Sequence, residues 1–269
     1  MSLAGAFRAT KKNGTVYYRS SITYKSKHIS LGSFSSEFLA HAAYLEAWQL
    51  VLSAEDINSY GTKERALSFE KYVSLINFRD HNVYFKNPIY LEKRYFLYYL
   101  TAEHILKFDI DDLFYYASRK ISRRNGHLFV ADYGMQVNLL SRYGIKSHAV
   151  RNRDYRFING DRYDFRYENI EIINRFHGVT RVQKGSHTAY KTKILINGVF
   201  TVGTYSTEIE AAIAYNKAAD LIQQKMPDRQ YRQNYIDALT PSGYAELYMS
   251  LSISRKIINL EQRVSISQA

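Results

Sequence analysis

Basic and hydroxyl side chains recur at every second position in two separate segments of this sequence. Arg19, Ser21 and Thr23 have this spacing near the start of the chain, and Lys191 and Lys193 have it further on. Side chains two residues apart in a β-strand lie on the same face of a sheet, so each set predicts one polar, basic face. Cationic side chains on such a face can contact phosphate groups and the edges of guanine bases. The alternative interpretation is a sheet used only for packing.

The two segments are parts of an internal repeat. The sequence ISLGSFSSE at residues 29–37 recurs as FTVGTYSTE at residues 200–208, an offset of 171 residues from Gly32 to Gly203. The same offset relates four further pairs of residues: Ala40 and Ala211, Ala43 and Ala214, Tyr44 and Tyr215, Ala47 and Ala218. A separation this long is not that of a tandem solenoid, so we predict two like modules with other sequence between them.

Each copy predicts a three-stranded sheet that carries one helix. Residues 17–24 and 190–196 alternate with the two-residue period of strands. Asn197-Gly198 is a strong signal for a hairpin turn, and the first copy has Lys25-Ser26-Lys27 at that place. The helix of the second copy begins at a capping box formed by Thr207 and the glutamate three residues later. One face of each sheet packs on the helix, which leaves the basic face outside.

The composition favours a globular protein with an anionic partner. Lys and Arg number 37 against 25 Asp and Glu, which gives a formal net charge of +12 in 269 residues. Such an excess favours nucleic acid or an acidic membrane surface as partner, and the alternative is a surface charge that only keeps the protein soluble. Cysteine is absent, which excludes disulfides and thiolate metal sites and fits a reducing cytoplasm. Apolar runs fall short of the ~20 residues of a membrane span, and residues 1–14 lack a signal-peptide pattern, so we expect a soluble cytoplasmic protein without membrane contact.

The second copy contains a series of short motifs. They are Gly178-Val-Thr-Arg181, a strand that starts at Tyr190, the Asn197-Gly198 turn, Val202-Gly-Thr-Tyr205 and the helical segment Ala211–Ala219. Together they resemble an APETALA2-type DNA-binding domain, and the first copy, which opens with Gly5-Ala-Phe-Arg8, is the more diverged. The resemblance implies binding of double-stranded DNA through the outer face of each sheet. With two arginines from the intervening region, the predicted DNA-binding residues are Arg8, Arg19, Ser21, Thr23, Lys25, Lys27, Arg153, Arg156, Arg181, Lys184, Lys191 and Lys193.

The region between the copies carries the sequence NGDRYDFRYENI at residues 159–170. This segment resembles the HNH motif of homing endonucleases, which is often followed by an APETALA2-like domain. Leu100-Thr101 and residues 108–113 fall where that family has its first β-hairpin. The resemblance implies a ββα-type core over residues 95–175.

The resemblance also implies which residues would do the chemistry. In the family a carboxylate and an asparagine hold one divalent metal against the scissile phosphate, and a histidine deprotonates the attacking water. The metal-binding aspartate falls on Arg156, the general-base histidine on Phe157 and an upstream histidine on Asn138, so only Asn169 of this set remains. A single carboxamide cannot hold Mg²⁺, and phenylalanine cannot accept a proton. We therefore predict no catalytic residue, no metal and no other cofactor.

Two questions stay open at this site. Asp154 and His148 lie just upstream on an arginine-rich loop, and a shifted register would bring them into the site. Arg156 puts a fixed positive charge where the family holds a metal, so it could grip the same phosphate without cutting it. The alternative is a salt bridge from Arg156 to Asp161 or Asp164. The other motif residues are expected to close the ββ corner and to cap a following helix.

The predicted fold class is α+β, with two modules of a three-stranded sheet plus a helix flanking the ββα-type core. Residues 62–107 are predicted to be mostly helical, and Arg119-Lys120 and Arg123-Arg124 to lie at a hairpin tip. Residues 241–262 are predicted to form a helix that docks on the body or joins two copies of the chain. The predicted segments are a first module at 1–58, a helical linker at 59–94, the core at 95–175, the second module at 176–240 and a C-terminal helix at 241–269.

The leading hypothesis is a sequence-specific binder of double-stranded DNA, of bacterial or phage origin, in the cytoplasm and associated with the nucleoid. It would be a transcriptional regulator derived from an HNH homing endonuclease or carried on a mobile element, and a homodimer through the C-terminal helix is a further prediction. One alternative is an active, metal-dependent homing or nicking endonuclease with a rearranged site. Another is a basic module for interaction with protein or RNA.

Overall fold

A computed structural model describes residues 3–132, 134–147 and 149–260 of the chain. The chain divides into two compact units, and each unit draws on two stretches of sequence. Unit 1 consists of Met1–Leu139 and Phe157–Ile170, and unit 2 consists of Leu140–Arg156 and Glu171–Ala269. The units contain helices and small three-stranded sheets, which confirms the α+β class. Within the described ranges, no helix is long and apolar enough to cross a membrane.

The first repeat folds as an antiparallel three-stranded sheet with one helix, as predicted. Its elements are β1 (Ala6–Thr10), β2 (Val16–Tyr24), β3 (Lys27–Phe34) and α1 (Glu37–Leu52). Lys25 and Ser26 both adopt positive φ, which closes the tight turn between β2 and β3. Ser36 caps α1 by accepting a hydrogen bond from the backbone N–H of Leu39. The inner face of the sheet buries Ile22 and its neighbours against alanines of α1.

The predicted helical linker at 59–94, and the mostly helical stretch at 62–107, are wrong over much of their length. Besides a 3₁₀ turn at Ile57–Thr62, one helix forms, α2 (Phe69–His81), and it ends where Asn82 takes a left-handed φ of 61°. The next elements are the strands β4 (Ile89–Leu91), β5 (Tyr95–Tyr99) and β6 (Ile105–Asp109), which form an antiparallel sheet. Short runs of aromatic residues fit a strand as well as a helix, and here alternate burial favours the strand.

The basic hairpin predicted near residue 120 exists, but its tip lies elsewhere. After a 3₁₀ turn at Ile110–Asp112, the chain forms α3 (Leu113–Ala117), β7 (Ile121–Arg124), β8 (His127–Asp132) and β9 (Met135–Asn138). Asn125 and Gly126 have the positive φ angles of a two-residue turn and form the tip. Arg119 and Lys120 precede the hairpin and form salt bridges with Asp132 and Glu70.

The HNH-like segment at 159–170 connects two short strands, and a strand forms where a helix was expected after the segment. Strands β10 (Tyr155–Phe157) and β11 (Ile170–Ile172) pair, and a 3₁₀ turn at Tyr167–Asn169 precedes β11. The sequence Ile-Glu-Ile alternates and is β-branched, which favours extended backbone over a first helical turn. The two strands pair, and the helix expected after them does not form.

The second repeat has the same architecture as the first. Its elements are β12 (Val179–Lys184), β13 (His187–Leu195), β14 (Val199–Tyr205) and α4 (Glu208–Lys225). The predicted capping box is confirmed, because the Thr207 side chain accepts from the Glu210 backbone and the Glu210 side chain accepts from the Thr207 backbone. Ile194 and Val202 on the inner face pack against Ala218 of α4 in one buried cluster.

The single helix predicted for residues 241–262 is interrupted, and residues 261–269 lie outside the described part. The chain forms α5 (Pro241–Ser250) and α6 (Arg255–Ile258), and between them Leu251 is extended. The break lets Ser254 donate its backbone N–H to the Val202 carbonyl at 2.8 Å. Tyr248 bonds to Asp220 of α4 at 2.8 Å. This segment therefore docks on its own unit, and the homodimer stays a prediction.

A glycine at the start of each module lies against a tyrosine ring of its helix. Gly5 has φ +72°, and a β-carbon there would sit 2.1 Å from Cδ2 of Tyr44. Gly178 has φ +74°, and its β-carbon would sit 2.4 Å from Cδ2 of Tyr215 and 2.6 Å from the Lys193 carbonyl oxygen. Both the backbone angle and the close approach require glycine.

Replacing Gly178 with alanine should therefore destabilise unit 2 by about 3 kcal/mol or more, because left-handed strain adds to overpacking. Gly185→Ala is the matched control: Gly185 also has a positive φ of 61°, but in the described structure no atom lies within 4 Å of its added β-carbon. It should cost only about 1 kcal/mol. Thermal unfolding midpoints measure both. Equal losses in the two variants would contradict the packing role of Tyr215.

Candidate nucleic-acid interface

The outer face of the second module is a polar sheet surface with two lysines at its centre. Thr192 and Ile194 of β13 point inward and are buried, so Lys191 and Lys193, which alternate with them, point outward. Directly opposite residues share a face, and the outward cross-strand neighbours are Thr180 and Thr204 beside Lys191 and Thr201 beside Lys193. Cations flanked by hydroxyl groups can bind phosphates and base edges.

The outer face of the first module has the same geometry with fewer cations. Ser20 and Ile22 of β2 are buried, and Arg19, Ser21 and Thr23 lie on the opposite face, as predicted. Arg19 occupies the place that Lys191 has in the second module, and Ser21 occupies the place of Lys193. The cross-strand neighbours on this face are Phe7 and Ser33 beside Arg19, Ser30 beside Ser21, and His28 beside Thr23.

Arg8 and Arg181 lie on the other side of their sheets. Arg8 pairs with Tyr18 and Arg181 pairs with Tyr190, and both tyrosines alternate with outward residues. Tyr190 packs in the core with Val179, which places Arg181 on the helix side, where its guanidinium lies 3.8 Å from Glu171. Both arginines are exposed, but the structure does not group them with Arg19 and Lys191. Lys184 is exposed at the end of β12, opposite His187.

Lys25 and Lys27, at the β2–β3 turn, contact other parts of unit 1. The Lys25 ammonium donates to the Arg79 carbonyl at 3.0 Å and to the Asn82 side chain, at the C-terminal end of α2. The negative end of the helix dipole favours a cation at this position. Lys27 lies 5.8 Å from the ring centre of Tyr84. Both ammonium groups therefore have intramolecular partners at the turn.

In unit 1, the HNH-like turn is held together by its own polar side chains. The Asn169 carboxamide accepts from the Asn159 backbone N–H at 2.8 Å and donates to the Asp164 carbonyl at 2.8 Å. The buried Asp164 carboxylate accepts from both sides of the Arg166 guanidinium, at 2.9 and 2.7 Å. Burial raises the pKa of Asp164, but the hydrogen bonds from Arg166 and Asn159 outweigh it and hold the pKa below its usual value.

In unit 2, Arg156 and Asp154 each have a defined partner. Arg156 donates to Glu171 at 2.5 Å, so the alternative salt bridge to Asp161 or Asp164 is wrong: Arg156 forms a salt bridge, but with Glu171. The buried Asp154 carboxylate accepts from Arg153, from the Val150 backbone and from Asn174. Burial raises the pKa of Asp154, and these hydrogen bonds more than reverse the shift. His148 lies outside the described residues.

These residues do not fit a catalytic metal site. The Asn169 oxygen already accepts a backbone hydrogen bond, the Asp164 carboxylate is neutralised by Arg166, and Arg156 and Phe157 supply no anionic ligand. Within the described residues, no group of three or more acidic, histidine or cysteine side chains is arranged to hold a metal ion. Within the segment 159–169, the side chains of Asn159, Asp161, Asp164 and Asn169 form hydrogen bonds in the turn itself.

Unit 2 contains a cation-rich cleft that the sequence does not predict. Its volume is about 710 Å³, and it is lined by Lys146, Arg153, Arg175, Lys193, Arg229 and Arg232. Arg153 and Lys193 were predicted to bind DNA, whereas the other four lie on loops or turns without a repeating pattern. Only the folded chain brings these distant loops together. Comparisons with protein-family models, with curated proteins and with solved structures each found no match to this chain.

Replacing Asp164 with asparagine should destabilise unit 1 by about 3 kcal/mol at pH 7, because the Arg166 guanidinium loses its buried partner. A lowered carboxyl pKa stabilises the fold fully above the unfolded value of about 3.9, and this contribution is lost as the pH falls through the folded value. The gap in unfolding free energy between wild type and variant should therefore shrink below about pH 4.

Urea denaturation between pH 7 and pH 2.5 measures this gap. Glu168→Gln is the control, because Glu168 contacts the same arginine with a side chain that is 71% exposed, and little change is expected. A gap for Asp164→Asn that stayed constant down to pH 2.5 would contradict the charge-based explanation.

Proposed function

We propose that this protein binds double-stranded DNA sequence-specifically through the outer faces of its two repeated sheets and does not cut it. The observation that carries the proposal is the outer face of β12–β14, where Lys191 and Lys193 stand between threonines on a sheet whose other face is covered by α4. An antiparallel ribbon of this width can enter the major groove, and its outward side chains can contact base edges and phosphates.

The distribution of charge supports the same proposal. Unit 2 carries 17 Lys and Arg against 9 Asp and Glu, while the larger unit 1 carries 20 against 16. Most of the net charge of +12 therefore belongs to unit 2. Lys191 and Lys193 form no salt bridge to any residue that the structure describes. A cation without an intramolecular salt bridge does not have to break an ion pair when it binds phosphate.

The two outer faces differ at matched positions, and this favours a site with two unlike halves. Arg19 and Lys191 are both cationic, but Ser21 stands where the second module has Lys193, and Thr23 where it has Leu195. Different side chains at equivalent places contact different base edges. We propose a transcriptional regulator, derived from an HNH homing endonuclease, whose cleavage site has become a structural turn.

If the outer cations neutralise phosphates, affinity for duplex DNA should fall steeply with salt. A slope of log affinity against log salt of about −5 to −9, from roughly 6–10 phosphate contacts, is expected. Fluorescence anisotropy with a selected duplex, its RNA counterpart and a shuffled duplex measures this slope and the specificity. Plasmid in Mg²⁺ or Mn²⁺ should remain supercoiled. Preference for RNA, a flat salt response or metal-dependent cutting would each refute the proposal.

Lys191→Ala and Arg19→Ala should each weaken binding to the selected duplex by about 1–3 kcal/mol and relax specificity in one half of the footprint. Each variant has a control of the same charge that lies off the outer face. Arg8→Ala serves for Arg19, and Lys256→Ala, an exposed position in α6, serves for Lys191. The control variants should weaken binding only slightly, and by the same factor for every duplex sequence. If Arg8→Ala and Arg19→Ala had the same effect, the outer face would not be the recognition surface.

A further inference from the structure

The cation-rich cleft of unit 2 is built by four separate stretches of chain. The described residues of these stretches are 144–147 with 149–154, 172–180, 193–199 and 229–232, and Tyr215 of α4 is also in the lining. Two hydrogen bonds hold the last stretch on the β13–β14 hairpin: Tyr231 donates its hydroxyl to the Leu195 carbonyl at 2.9 Å, and Arg229 donates to the Asn197 side chain at 2.9 Å. Arg232 lies 3.4 Å from the Ser147 hydroxyl on the first stretch.

The cleft is strongly positive. Its cations are opposed by Asp154, the one carboxylate among the described residues of the lining, and the guanidinium of Arg153 already pairs with that group. Lys146, Lys193, Arg229 and Arg232 form no salt bridge within the described ranges. The positive charge of the cleft also affects His177. Burial is the largest cause that lowers the pKa of His177, and the nearby charges of Arg232 and Arg153 lower it further. Such a concentration of like charge costs free energy, which a bound anion would relieve.

The size and the apolar part of the lining narrow the class of anion. A volume of about 710 Å³ is in the range of sites for small molecules and cofactors and far exceeds a single phosphate. Phe176 and Tyr231 are half-buried at the cleft, together with the side chains of Ile172 and Ala149. Aromatic and aliphatic walls beside several arginines suit a planar base joined to a phosphate group.

We infer that this cleft binds a nucleoside phosphate, with its phosphate on Arg229 and Arg232 and its base against Phe176 and Tyr231. The site is separate from the centre of the sheet's outer face, where Lys191 lies, and it borders that face at Thr180 and Lys193. The nucleotide can be a free one or an unpaired nucleotide of a DNA strand. Both present the same chemistry, a base and a phosphate, to the same residues.

Calorimetry with the full-length chain tests the inference on three free probes: AMP, adenosine and inorganic phosphate. AMP should bind more tightly than either of its parts, and Arg229→Ala with Arg232→Ala should weaken AMP binding by about tenfold or more. The double lysine variant at the same positions keeps the charges and should recover part of the affinity. Lys191→Ala and Lys256→Ala are controls that should leave AMP binding unchanged.

A second arm identifies the source of the nucleotide. A duplex with one unpaired terminal nucleotide is compared with the blunt duplex, in wild type and in the double alanine variant. Tighter binding of the overhang, lost in the variant, assigns the site to DNA, and binding of AMP without an overhang effect assigns it to a free nucleotide. The inference is overturned if neither probe binds, if phosphate alone binds as well as AMP, or if the double variant with an unchanged unfolding temperature binds AMP normally. Loss of duplex binding in Lys191→Ala alone would test the proposed DNA-binding face of the sheet and not the nucleotide site in the cleft.

Discussion

Each module depends on the same kind of contact, in which the backbone of a glycine packs closely against a tyrosine ring of the module's helix. Tyr44 and Tyr215 occupy the space that a β-carbon would take at Gly5 and Gly178. The contact joins the beginning of the first strand to the middle of the helix. At Gly178 it is tightened by a hydrogen bond from the Lys193 backbone to the glycine carbonyl at 2.8 Å. Once the helix is fixed on this side of the sheet, the other side is left for Lys191 or Arg19.

The repeat and its strand alternation could be predicted because they depend on local patterns. The period of two placed Arg19 and Lys191 outward correctly, since inward neighbours such as Ile22 and Ile194 are apolar and buried. The faces of Arg8 and Arg181 could not be predicted in this way, because the face of an edge strand depends on its register with the next strand. Register is a tertiary property, and neither arginine has an apolar alternation around it that would reveal its face.

Other features depend on contacts between distant residues and could not be predicted. Arg156 pairs with Glu171, a residue on the neighbouring strand, although Asp161 and Asp164 are closer in sequence. The cleft collects cations from loops as far apart as Lys146 and Arg232. The aromatic run at 95–99 has a composition found in both helices and strands. It could be assigned to a strand only from its pairing with β6. In each case the missing information was which segments meet.

In these modules the inward residues stabilise the fold and the outward residues do not, and this difference has an evolutionary consequence. Gly178, Tyr215 and the buried alanines of α4 maintain the frame, while Lys191, Lys193 and Leu195 contribute little to it because they point away from the core. A duplicated module can therefore exchange its outward side chains one at a time and remain folded at each step. The two copies in this chain have similar buried residues and different outward side chains, which is the result expected of such a history.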